Sequence, residues 1–122
     1  MIGIELQKET VEAGDFITAR IHWVREGADR SVTRILADVA WRTGGEGNVA
    51  SGVARVTQVH VRKHQPDGVF PVRLLIPYEG PISFEGELIS LSWKLRVRVD
   101  QSGFDEFAEA EFRVVPGQPA SP

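Results

Sequence analysis

The sequence predicts an all-β protein, a two-sheet antiparallel β-sandwich of about seven strands, from three observations. From Ile89 to Asp100 apolar and polar residues alternate without a break. Ile89, Leu91, Trp93, Leu95, Val97 and Val99 share one face, and Ser90, Ser92, Lys94, Arg96, Arg98 and Asp100 share the other, the period of a half-buried strand. Turn-forming clusters recur at the spacing of a sandwich: Glu12-Ala13-Gly14-Asp15, Glu26-Gly27-Ala28-Asp29, Gly44-Gly45-Glu46-Gly47-Asn48, Gln65-Pro66-Asp67-Gly68, Pro77 to Pro81 and Ser102-Gly103. No segment combines a sustained 3.6-residue period with caps, so no long helix is expected.

The strands between these turns read as Ile2–Lys8, Asp15–Val24, Thr33–Thr43, Val53–Arg62, Val69–Ile76, Phe84–Val99 and Phe107–Val115. In the second, Ile17, Ala19, Ile21 and Trp23 face inward while Thr18, Arg20 and His22 face out. The third places Ile35, Ala37, Val39 and Trp41 inside, opposite Leu36, Asp38, Ala40 and Arg42. The fourth changes parity between Val56 and Val59 and the sixth between Leu88 and Ile89, which predicts a bulge or bend in each. In the fifth, Phe70, Val72, Leu74 and Ile76 share a face, and Pro71 lacks the N–H that a central strand would donate, so this strand belongs at an edge or a bulge.

Trp23, Trp41 and Trp93 all fall on inward faces, where they are expected to fill the core rather than offer a sugar-stacking platform. The last hairpin is expected to pair Val97 with Ala110, Leu95 with Phe112 and Trp93 with Val114 inside, and Arg98 with Glu109 and Arg96 with Glu111 outside. Residues 1–116 read as a single domain, and 117–122, rich in proline and small residues, as a flexible C-terminal tail.

At 122 residues the chain is large enough to bury a core without staples, and it contains no cysteine. Disulfide frameworks, thiolate metal sites and cysteine nucleophiles are therefore excluded, and a reducing compartment fits. Met1-Ile2-Gly3-Ile4-Glu5 starts in strand pattern with no signal-peptide regions, and no segment approaches the ~20 apolar residues of a membrane span, so a cytoplasmic protein is expected. A net charge of −3 argues against nucleic acid as a partner.

No cofactor, metal site or catalytic set is expected. His60 and His64 have a metal-like spacing only on a helix; on a strand they stand ~13 Å apart, too far to share a zinc ion. His22 has no serine or carboxylate at a telling spacing. Glu109 and Glu111 project about 7 Å apart, as paired glycosidase carboxylates can, but the hairpin register gives each an arginine partner and makes them a surface ladder. Glu85 and Glu87 flank Gly86 and read as solvated. No Gly-x-Ser-x-Gly elbow occurs, and Gly44-Gly45-Glu46-Gly47 lacks the ending and the helix of a phosphate cradle. What invites a partner is the outward face of the long strand, where Lys94, Arg96 and Arg98 are expected to lie near Arg20, His22 and Arg113, with Glu109 and Glu111 neutralising part of the charge.

Leu75-Ile76-Pro77, Gly80-Pro81, Ser83-Phe84, Gly86 and the Trp93-bearing strand to Asp100 resemble the second half of an arrestin-fold domain, the group that includes small bacterial arrestin-like and sporulation-control proteins. The match runs best from Leu74 to Val115 and extends to the Val11–Asp15 turn. It implies an immunoglobulin-like, arrestin-like sandwich acting as a non-catalytic adaptor or regulatory scaffold that binds another protein. The family typically builds two such lobes in tandem, and this chain has the length of one. Arg20, His22, Lys94, Arg96 and Arg98 are the candidate contact residues. A structural subunit of a homo-oligomer or shell, joined by edge strands, is the second reading, and a carbohydrate-binding or hydrolytic sandwich the third.

Overall fold

In a computed structural model, residues 1–25, 32–45, 50–59, 61, 67–86, 89–101 and 105–117 are described. Among them every regular element is a strand: β1 (Ile2–Leu6), β2 (Thr10–Glu12), β3 (Phe16–Val24), β4 (Val32–Gly45), β5 (Ser51–Val59), β6 (Asp67–Leu75), β7 (Phe84–Glu85), β8 (Ile89–Gln101) and β9 (Glu106–Val115). No helix of the described residues is long and apolar enough to cross a membrane. One sheet has the order β1-β3-β6, and the other the order β2-β9-β8-β4-β5, with β7 paired to β8. All pairings are antiparallel except β2 with β9.

The two inner faces meet in one core. Ile17, Ala19, Ile21 and Trp23 of β3, with Val72 and Leu74 of β6 and Ile76 just beyond it, oppose Ile35, Ala37 and Val39 of β4, alternate residues of β8 from Leu91 to Val99, and Phe112 and Val114 of β9. These are the inward positions of the sequence pattern. Burial of each large apolar side chain contributes roughly 1.5–3 kcal/mol. Trp93 is fully enclosed, lies 6.0 Å from the ring of its cross-strand partner Phe112, and donates its Nε1–H to the carbonyl of Pro81 at 2.9 Å. The proline-rich lead-in to β7 is thereby tied to the core. Ser83 completes the attachment, its Oγ accepting the Val114 N–H at 2.9 Å and its own N–H reaching the Val114 carbonyl at 2.8 Å.

Trp41 departs from expectation. It shares the inner face of β4 but is only half-buried, because its neighbour on the edge strand β5 is Gly52 and the indole spreads over that gap. A Cβ at Gly52 would stand 2.8 Å from the ring.

Three pairings also differ from expectation. The span Phe84–Val99 is two strands, since β7 turns back and pairs Phe84 with Leu91 and Glu85 with Ser90. The parity change of β5 lies between Ala54 and Thr57, beside a bulge opposite Val39 and Ala40, and not between Val56 and Val59. The hairpin register is displaced by two residues: Trp93 faces Phe112, Leu95 faces Ala110, Arg96 faces Glu109 and Arg98 faces Phe107. Inside and outside are unchanged by this shift, but neither the Arg98–Glu109 nor the Arg96–Glu111 pairing forms. The connecting residues Ser102 and Gly103 lie outside the described residues, as do His60, His64, Glu87 and the tail from 118 onward. Pro71 sits on β6, which among the described residues pairs with β3 alone, so the expected edge position holds.

Candidate protein-docking face

The five candidate contact residues divide between the two sheets. Arg20 and His22 project from β3 on the outer face of the three-stranded sheet, where Arg20 lies between Glu5 and Pro71, and His22 Nε2 is 3.5 Å from Glu5 Oε2. Lys94, Arg96 and Arg98 project from β8 on the outer face of the other sheet, on the opposite side of the sandwich. Alternation assigns each residue to an outward face but carries no information on which sheet its strand joins, so the expected single patch does not form. Arg113 is exposed on β9, on the same side as the β8 cations.

The outer face of the larger sheet is a ladder of cross-strand rows. One row runs Gln58, Leu36, Arg98, Phe107 across β5, β4, β8 and β9; the next runs Val56, Asp38, Arg96, Glu109. A third brings Val53, Ala40, Lys94 and Glu111 together.

Each β8 cation has an anionic partner. Arg96 binds Asp38 in a fork, Nε to Oδ1 at 2.7 Å and Nη2 to Oδ2 at 2.8 Å, a geometry reserved to arginine. Lys94 Nζ reaches diagonally to Glu109 at 2.8 Å. Arg98 Nε lies 2.7 Å from Asp100, which Arg34 of β4 also grips. The Asp38 hydrogen bond raises the Arg96 pKa further, so the guanidinium stays charged. The hydrogen bond from Arg34, assisted by the charge of Arg98, holds the Asp100 carboxyl below its ordinary range although burial opposes the shift.

With its cations paired, the distinctive content of this face is apolar. Phe107 is 72% exposed and Val56 61%, and half-buried Leu36 lies between them. They border a shallow depression of about 510 Å³ whose floor holds Asp38, Arg96 and Arg98. A second depression of about 430 Å³ continues past Ala40, Lys94 and Ser92 to Arg42. Asp38 and Phe107 are the residues missed as candidates. The same alternation that turns Glu109 and Glu111 outward turns Phe107 outward too, and an outward phenylalanine is the signal that identifies it. Among the described residues no group of three or more His, Asp or Glu side chains is placed to hold a metal ion.

The strands form a two-sheet β-sandwich of arrestin-like fold. Among solved structures the chain is similar to the sporulation control protein Spo0M of Bacillus subtilis, with a TM-score of 0.73 and 13% identity over 96% of this chain and 49% of that one. The likeness is one of fold, and the chain spans about half the length of that protein. No protein-family model matches the chain, and no curated protein matches it significantly.

Proposed function

We propose that this chain is a non-catalytic protein-interaction domain, an adaptor or regulatory scaffold of the cytoplasm, which binds protein through the outer face of its larger sheet. The observation that carries the reading is Phe107, 72% exposed at the β9 end of the charged ladder, where it lines one depression together with Val56 and Leu36. Aromatic anchors next to satisfied charges are the composition of interaction hot spots. The similar fold of a protein described as controlling sporulation supports a regulatory rather than a chemical role.

Edge pairing, the alternative, is opposed at three of the four sheet edges and is left open at β1. β6 carries Pro71, β5 a bulge, and β2 is three residues long, all devices that blunt strand addition. The sugar-binding reading lacks an outward tryptophan, since Trp23 and Trp93 are fully buried and Trp41 lies on an inner face.

Affinity capture from the native cell tests the proposal. Phe107→Ser should leave the melting temperature unchanged and reduce capture at least tenfold, as expected for an anchor worth more than about 1.4 kcal/mol. Undiminished capture by the folded variant would refute the assignment of the face.

A further inference from the structure

We infer that the occupant of this face is a second copy of the chain, packed face to face about a twofold axis lying in the interface along the seam between β4 and β8. The inference rests on the proposed docking face and names its partner. Its basis is a property of the ladder: the rows are complementary to themselves when reversed about that seam. A twofold axis parallel to the strands carries β4 of one copy over β8 of the other and β5 over β9, row by row, because the strand order β5-β4-β8-β9 is centred on the seam.

The charged rows meet opposite charges. Asp38 and Arg96 are direct partners across the seam, so reversal sets Asp38 over the partner's Arg96 and Arg96 over the partner's Asp38. Arg34 and Asp100 form another such row, with the same result. The remaining rows meet long against short. Lys94 lies opposite Ala40 and Arg42 opposite Ser92, so each long cation comes down over a small residue of the other copy. No row across the seam sets like charge over like.

The flanks supply the apolar contact. Phe107 on β9 descends over β5 of the other copy beside the partner's Val56, and Leu36 receives the alkyl stem of the partner's Arg98. Packed sheets usually cross at about 30°, which moves the outer rows apart but leaves the central rows of Leu36, Asp38 and Ala40 superposed. A face with unpaired charge of one sign would repel its own copy. Here Lys94, Arg96 and Arg98 each have an anionic partner within the chain, Arg98 sharing Asp100 with Arg34, which lowers the repulsion between copies.

The test is charge exchange between copies. Asp38→Arg alone sets arginine against Arg96 in every such pair, and Arg96→Asp alone sets aspartate against Asp38. Mixed in equal amounts, each variant offers what the other lacks, because the new arginine faces the new aspartate and the native Arg96 faces the native Asp38. Sedimentation equilibrium should find the wild type dimeric, Phe107→Ser and both charge variants at least tenfold weaker, and the mixture restored. A fold defect in either variant would not be rescued by mixing. A wild type monomeric up to roughly 0.1 mM chain would overturn the inference, as would a dimer indifferent to all three substitutions. A monomer whose capture of another protein still depends on Phe107 would overturn it while leaving the docking face intact, whereas capture independent of Phe107 would remove both.

Discussion

Arg96 and Asp38, 58 positions apart in the chain, are joined by two parallel hydrogen bonds across the β4–β8 seam. Their side chains are 46% and 22% exposed, so water screens the pair and the fork organises the face more than it stabilises the fold. A double-mutant cycle with Asp38→Ala and Arg96→Ala, followed by urea denaturation, should give a coupling of about 0.2–1 kcal/mol. A coupling several times larger would mean that the pair is structural.

The two fully buried tryptophans should answer differently to replacement. Trp93 donates to Pro81 O, while Trp23 Nε1 has no acceptor among the described residues. Trp93→Phe deprives the Pro81 carbonyl of its donor and should cost about 1–3 kcal/mol more than Trp23→Phe in denaturant titration. Equal losses would deny the indole any special part in anchoring the Gly80-Pro81 segment.

Gly52→Ala should destabilise the β4–β5 edge. The added methyl would stand 2.8 Å from the Trp41 indole, so the ring must turn outward or the edge strand must shift. A loss of about 1–3 kcal/mol is expected, with a red shift of the part of the tryptophan emission owed to Trp41. A neutral substitution would show that Trp41 can move freely.

Asp100 makes stability depend on acid pH. Its carboxyl is held below the ordinary value, chiefly by the Arg34 hydrogen bond and then by Arg98. A depressed acid stabilises the fold fully above its unfolded pKa, near 3.9, and the contribution fades as pH falls through the lower folded value. The advantage of wild type over Asp100→Asn should therefore be constant near neutral pH and shrink below about pH 4. An advantage that grew on acidification would reverse the sign of the linkage.

What lies inside and what outside was legible in the sequence, because alternation is a direct image of strand geometry. Ile17, Ile21, Trp23, Val39 and Trp93 all sit where their parity puts them, and Pro71 marks an edge through the N–H it lacks. Sheet membership was not legible: Arg20 and Arg96 are equally outward by pattern, yet they stand on opposite sides of the sandwich. The hairpin register was legible only in parity. A two-residue slip keeps Leu95 against an apolar residue and Arg96 against a glutamate, so the alternation is satisfied by either register and does not choose between them. β2 and β7, three and two residues long, are too short to carry a period. Of the proposed docking face, the outward placing of the β8 cations was legible, but the place of Asp38 beside them was not, because it depends on the long-range pairing of β4 with β8.

The most direct test of the central claim is photo-crosslinking from the two opposite faces in the native cell. A photoreactive side chain replacing Phe107 reports on the outer face of the larger sheet, and one replacing Arg20 reports on that of the smaller. Adducts with protein, a second copy of the chain included, should form from position 107 and be absent or minor from position 20. Adducts from position 20 with none from 107 would contradict the account and move the interface to the β1-β3-β6 sheet.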